Sequence, residues 1–82
     1  MSTTHHRLKI PYLGDGIEEA LVVEWVTAVA SWVDEGAGLV VVQADKVDVE
    51  VPSAVAGILV EQLVDAGATA AVGEPFCIIE SQ

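Results

Sequence analysis

The side chain with the clearest chemical standing in this chain is Lys46, set between two valine-rich runs in Val42-Gln43-Ala44-Asp45-Lys46-Val47-Asp48-Val49-Glu50-Val51. It is the only cationic residue beyond Lys9 in a chain with 13 acidic and 3 basic side chains. If Asp45 and Lys46 are the two loop residues of a hairpin, Ala44 faces Val47, Val42 faces Val49 and Val40 faces Val51, one apolar row on one face. The opposite face pairs Gln43 with Asp48 and Val41 with Glu50. This alternation predicts a half-buried antiparallel pair with the Lys46 amine exposed at its tip. Asp-Lys is a poor two-residue turn, because the favoured primed turns want positive φ and therefore Gly or Asn. The chain keeps a lysine where a glycine would turn better.

Other reactive groups are sparse. Cys77 is the only cysteine, which allows no internal disulfide, suits a reducing cytoplasm and reads as a small buried hydrophobe. His5 and His6 are adjacent but have no further ligand candidates nearby, so no metal site is assigned. No nucleophile, base and orienting group cluster, which argues against a self-sufficient enzyme.

The elements that must position Lys46 fit one small domain. Eighty-two residues bury roughly 60% of the unfolded surface, enough for one modest core. A formal charge of −10 disfavours nucleic acid and anionic membranes and favours partners with positive patches. No apolar stretch reaches the ~20 residues of a membrane span. Met1 to His6 is polar and aperiodic, so residues 1–7 are expected to be a disordered tail, with a domain over 8–80 and residues 81–82 as tail or the start of a linker.

Leu8-Lys9-Ile10 alternates as a strand that Pro11 confines to an edge or end, and Gly14-Asp15-Gly16 marks a loop. Glu18 to Val26 opens with acids as a helix would, but its β-branched and aromatic content predicts a strand. Further strands are expected over 39–44, 47–51, 58–64 and 76–80, separated by turns at 34–38, 65–68 and 72–75. The chain also repeats: with Val23-Glu24 laid on Val60-Glu61, Gly36 falls on Gly73, Leu39 on Phe76 and Val40-Val41-Val42 on Cys77-Ile78-Ile79. Two such units predict an all-β fold, a flattened barrel or sandwich of two small antiparallel sheets related by a pseudo-two-fold axis.

Ala44-Asp45-Lys46-Val47-Asp48-Val49-Glu50-Val51-Pro52-Ser53 followed by Ala56-Gly57 resembles the lipoyl-attachment signature of the acyltransferase (E2) components of 2-oxo acid dehydrogenase complexes. Pro11-Tyr12-Leu13-Gly14-Asp15-Gly16-Ile17 is similar to that family's opening run, and Val23-Glu24-Trp25 to its second strand. The resemblance covers nearly everything from Leu8 to Glu80. It implies lipoic acid in amide linkage on Lys46, with Asp45 either orienting the arm or serving as turn chemistry. The cofactor would accept an acyl group from a decarboxylase, pass it to an acceptor thiol and be reoxidised by a flavoprotein.

The implied partners are a lipoate ligase or lipoyl transferase, a 2-oxo acid decarboxylase, an acyltransferase core and the flavin enzyme dihydrolipoamide dehydrogenase. By the family's architecture the loop from Tyr12 to Glu19 lies beside the lysine hairpin, so Leu13, Asp15, Glu18 and Glu19 are candidates for meeting the decarboxylase. Trp32 competes for that role, as either a cap on the core or an exposed anchor. The chain departs from the family's pattern at Ala30-Ser31, where a Gly-Asp turn is usual, and at Gln43 and Ala44, where Glu and Thr or Gly are usual. Two other functions stay open: a biotin carrier, whose lysine is typically flanked by methionines, and an unmodified barrel acting as a binding module.

Overall fold

The computed structural model describes residues 3–81, which form eight strands and no helix. In chain order they are β1 Thr4–Lys9, β2 Glu19–Trp25, β3 Trp32–Val33, β4 Gly38–Ala44, β5 Val47–Pro52, β6 Gly57–Gln62, β7 Thr69–Ala71 and β8 Pro75–Ser81. They make two antiparallel four-stranded sheets, ordered β1-β8-β6-β3 and β5-β4-β2-β7. No strand pairing joins the sheets, so the sandwich form of the expectation holds and the barrel does not close.

The internal repeat governs the architecture down to single bonds. A shift of 37 residues carries Val23 to Val60, and both mark register breaks, in β2 against β4 and in β6 against β8. Under the same shift the limits of β4 become those of β8. Trp25 Nε1 donates to the Val64 carbonyl at 3.0 Å, and Gln62 Nε2 donates to the Thr27 carbonyl at 3.1 Å. These two bonds are images of each other, each reaching from one half of the repeat into the other. The backbone follows suit: Val22 N to Ala68 O and Leu59 N to Ser31 O, Val26 N to Leu39 O and Leu63 N to Phe76 O.

The core lies between the sheets and is built from Val22, Leu39, Val40, Val42, Leu59, Phe76, Cys77 and Ile79 with Ile10, Ala20, Val33, Ala44, Val51 and Ala70 around them. Leu39-Val40 and Phe76-Cys77 break the in-out alternation by burying two consecutive side chains. A register shift accompanies each pair, between Gly38 and Val40 and opposite Leu8-Lys9, and an extra residue at a bulge turns neighbouring side chains to one face. Trp25 stacks beside Phe76 with ring centroids 6.1 Å apart. Burial pushes the Cys77 thiol up to about 12, so it stays protonated and serves as packing.

Two sequence expectations need correction. The polar start is not a tail throughout: Thr4–Lys9 is a strand that pairs along β8 from Thr4↔Ser81 to Lys9↔Pro75. An edge strand is held by backbone bonds to one neighbour and can expose most of its side chains, so it needs no apolar pattern. Met1 and Ser2 lie outside the described residues, as does Gln82, and Ser81 closes β8. The strands β3 and β7 were not expected, because two or three residues are too short to show a period of two. Their backbones pair only with β6 and β2.

Ala30 sits at φ 74, and the shift of 37 places it on Gly67 at φ 93. The second half uses glycine where the first forces an alanine into the left-handed region, at a cost of order 1 kcal/mol. Ala30→Gly should therefore raise stability by about 1 kcal/mol and Tm by roughly 4–8 °C for a domain this size. Calorimetry on the two proteins checks it, and an unchanged Tm would mean the turn carries no strain.

Candidate functional site

Lys46 crowns the β4–β5 hairpin in the predicted register: Ala44 pairs with Val47, Gln43 with Asp48, Val42 with Val49, Val41 with Glu50 and Val40 with Val51. Ala44, Val42, Val40 and Val51 are buried while Gln43, Asp48 and Glu50 are exposed, so packing of one face locks the register. Asp45 and Lys46 adopt φ 49 and 66, positive at both central residues as a type I′ turn requires. That turn matches the right-handed twist of the strands, so strand pairing and core burial offset the strain of two non-glycine residues. The only ion pair among the described residues is His5 with Glu80, which leaves the Lys46 ammonium without a fixed partner. An exposed amine on a rigid two-stranded stem is the geometry a covalently attached arm needs.

The loop from Ile10 to Glu18 is clamped at both ends. Ile10 N donates to Glu74 O at 3.0 Å, Gly73 N to Ile10 O at 2.9 Å and Val72 N to Glu18 O at 2.9 Å. Gly14 and Gly16 turn the chain at φ 143 and 80, conformations open to glycine. The corresponding connection after β5 spans only residues 53–56, so the longer loop belongs to the half beside Lys46. It comes to the hairpin: Asp15, Gly16, Ile17, Glu18 and Glu19 line one open cleft with Asp45.

Of the residues expected at the partner surface, Asp15, Glu18 and Glu19 are thus brought together with Asp45. Leu13 is not among them, being half-buried and packed against the core. Sequence reasoning passed over Tyr12, which is 71% exposed and donates its phenol to Asp15. That acceptor holds the Tyr12 hydroxyl above its ordinary pKa. The signal was present in the Tyr-x-x-Asp spacing across a Gly turn. Val47, next to Lys46 and paired with Ala44, is 58% exposed, so the apolar row expected on the inner face loses its burial at the tip.

The remaining candidates separate. Trp32 lies in the other sheet, 63% exposed, with its Nε1 donating to Asp34 Oδ1 at 2.9 Å, so it does not cap the core. The two histidines diverge into separate contacts, His5 Nε2 with Glu80 at 3.1 Å and His6 Nε2 with the Ser81 hydroxyl at 2.7 Å. Among the described residues no three His, Cys, Asp or Glu side chains gather as metal ligands.

Known proteins share this arrangement. The family described as biotin-requiring enzyme matches residues 6–79. The chain is 39% identical over 72 residues to the dihydrolipoyllysine-residue succinyltransferase component of the 2-oxoglutarate dehydrogenase complex of Staphylococcus saprophyticus, covering 88% of this chain and 17% of that protein. It is 41% identical over 66 residues to the dihydrolipoyllysine-residue acetyltransferase component of the pyruvate dehydrogenase complex of Corynebacterium glutamicum, covering 80% of this chain and 10% of that protein. The chain thus spans less than a fifth of the length of these relatives. Among solved structures, the lipoyl domain of the 2-oxoglutarate dehydrogenase complex from Azotobacter vinelandii superposes with a TM-score of 0.71 at 24% identity, covering 92% of this chain and 94% of that one, which shows the shared fold. With a family match running from β1 into β8 and acyltransferase relatives above 30% identity, the chain belongs to the family of biotinyl- and lipoyl-attachment domains.

Proposed function

We propose that this domain is a lipoyl carrier whose Lys46 bears lipoic acid in amide linkage and which serves a 2-oxo acid dehydrogenase-type acyltransferase. The observation that carries the reading is the Lys46 ammonium, in no ion pair among the described residues, at positive φ on a packed hairpin. A free amine held clear of the surface fits amide formation, because nothing has to be broken before a ligase takes it up. When bound, lipoic acid supplies a disulfide that accepts and releases acyl groups together with reducing equivalents.

The chain's own residues do the positioning. Val40, Val42, Ala44 and Val51 anchor the stem in the core, so that the arm swings from a fixed base. Asp45, next to the attachment point, adds negative charge to a rim formed with Asp15, Glu18 and Glu19. A catalytic partner would therefore meet the hairpin with a positive surface. The domain is a carrier without an active site of its own. Its partners on this reading are a lipoate ligase or lipoyl transferase, a 2-oxo acid decarboxylase, an acyltransferase core and the flavin enzyme dihydrolipoamide dehydrogenase, in the cytoplasm, where the unpaired Cys77 stays reduced.

Co-expression with a lipoate ligase, and separately with a biotin ligase, tests the reading by intact mass and by the peptide that contains Lys46. The expected result is one lipoyl group per chain and no biotin. Biotinylation would assign the domain to a carboxylase, and a free Lys46 in both cells would make it an unmodified binding module.

The role of the cleft is tested by the loop. Deleting two or three residues between Gly14 and Glu18 should leave folding and lipoylation intact and lower reductive acylation by the decarboxylase at least ten-fold, since the rim acids lose their placement beside Asp45 at the lysine hairpin. Acylation unaffected by the deletion would reduce this loop to a connection.

A further inference from the structure

The repeat supplies an internal standard against which single residues stand out. On the outer face of the sheet that carries the chain ends, Trp32 pairs with Ile58, Ile58 with Glu80 and Glu80 with His5. The matching row on the other sheet runs Thr69, Leu21, Gln43 and Asp48. A shift of 37 turns Thr69 into Trp32's counterpart, Gln43 into Glu80's and Ala71 into Asp34's. The apolar middle of the row is kept, as Leu21 and Ile58, both about 40% exposed. What differs is an indole and two carboxylates, all gathered at one place in the sheet without Lys46.

Packing does not account for them. Trp32 is 63% exposed, and with Ala56, Ile58, Glu80 and Ser81 it lines a shallow, mainly apolar hollow of about 380 Å³. Its indole is oriented by the bond from Nε1 to Asp34 Oδ1, which holds the ring edge and leaves a face to solvent. The charge at the hollow itself is acidic. Asp34 holds the indole edge, and Glu80 closes the hollow, its carboxylate also meeting His5 Nε2 at 3.1 Å from β1, the edge strand where Arg7 and Lys9 lie too. An exposed aromatic face flanked by carboxylates complements a planar cation, and guanidinium fits better than ammonium because it stacks on the ring while donating sideways to the acids.

We propose that this outer face is a docking site for an arginine-bearing extended segment of a partner protein, with the guanidinium stacked on Trp32 between Glu80 and Asp34 and the apolar part of the segment over Ile58 and Ala56. The hollow shares no residue with the cleft beside Lys46, so a partner held here leaves the hairpin free. The inference does not depend on what Lys46 carries.

The unmodified 82-residue chain tests it by NMR titration with two blocked peptides, acetyl-Ala-Arg-Ala-Arg-Ala-amide and its lysine equivalent. Trp25, whose indole N–H is engaged by Val64, is the internal control. The arginine peptide should shift the Trp32 indole and the Ile58 and Ser81 amides saturably, leave the Trp25 indole in place, and bind several-fold tighter than the lysine peptide. Trp32→Ala and Glu80→Gln should each weaken it about three-fold or more, and Trp32→Phe should retain part of the affinity. Three results would overturn the proposal: no saturable shift, shifts spread over Asp15–Glu19 and Asp48 that persist in Trp32→Ala, or movement of the Trp32 indole with protein concentration alone. The last would make the occupant a second copy of the chain.

Discussion

Lys46→Ala emerges from co-expression with a lipoate ligase at its unmodified mass, while the parent chain gains one lipoyl group, and the two proteins melt within a degree or two of each other. The separation of function from stability follows from the geometry. Alanine at φ 66 carries about the same backbone strain as the lysine it replaces, since both have a Cβ and neither is glycine. The lost side chain is exposed and makes no ion pair among the described residues, so no packing goes with it. Lys9 does not substitute: it lies at the end of β1, paired with Pro75 across a register shift, not at a tip. Continued lipoylation of Lys46→Ala, read by intact mass, would remove Lys46 from the proposed role. The neighbouring departures from the family's pattern give a graded companion. Gln43→Glu, on the exposed face beside the tip, should speed the ligase reaction without moving it to another lysine.

The largest stability effect is expected far from that lysine. Phe76→Ala should cost about 3–5 kcal/mol, because it deletes a side chain that is 1% exposed and stacks beside Trp25. A domain of this size has only about 4–12 kcal/mol in hand, so the substitution removes a large share of it, and a parent chain near the low end of that range would give a largely unfolded variant. Phe76→Leu, which keeps most of the volume, should cost about 1–1.5 kcal/mol. Urea denaturation of the three proteins measures both values, and a loss below about 1.5 kcal/mol for the alanine variant would show that the sandwich collapses around the gap. The effect should reach the site, because Phe76 packs in the same core that seats Val40 and Val42 of the lysine stem. Lipoylation of Phe76→Ala should therefore fall with the folded fraction, whereas that of Phe76→Leu should match the parent chain.

Much of the site was legible in the residues. The register of the lysine hairpin was readable because period-two alternation flips every side chain if it slips by one, and only one register buries the valines. Duplication was readable from the 37-residue spacing of Val23-Glu24 and Val60-Glu61, and with it the two-sheet form. The departure at Ala30 was readable against the family's usual Gly-Asp turn, and its φ of 74 came from the structure. These are local or periodic properties, carried by residue types along the chain. The tertiary structure decided what depends on partners distant in sequence. Thr4–Lys9 became a strand because β8 offered it a backbone to pair with, at 75 residues' separation for His5 and Glu80, and polar residues on an edge give no sign of that. The strands β3 and β7 exist only as borders to β6 and β2. The sheets stayed an open sandwich because their edges do not pair, a matter of strand placement and not of pattern. Leu13 turned inward while Asp15, Glu18 and Glu19 met Asp45, since the clamps at Ile10 and Glu18 set the path of the loop between them. Trp32 became an exposed face beside Glu80 only when β3 was laid against β6 and β6 against β8, which brings together residues 48 positions apart that nothing in their own neighbourhoods connects.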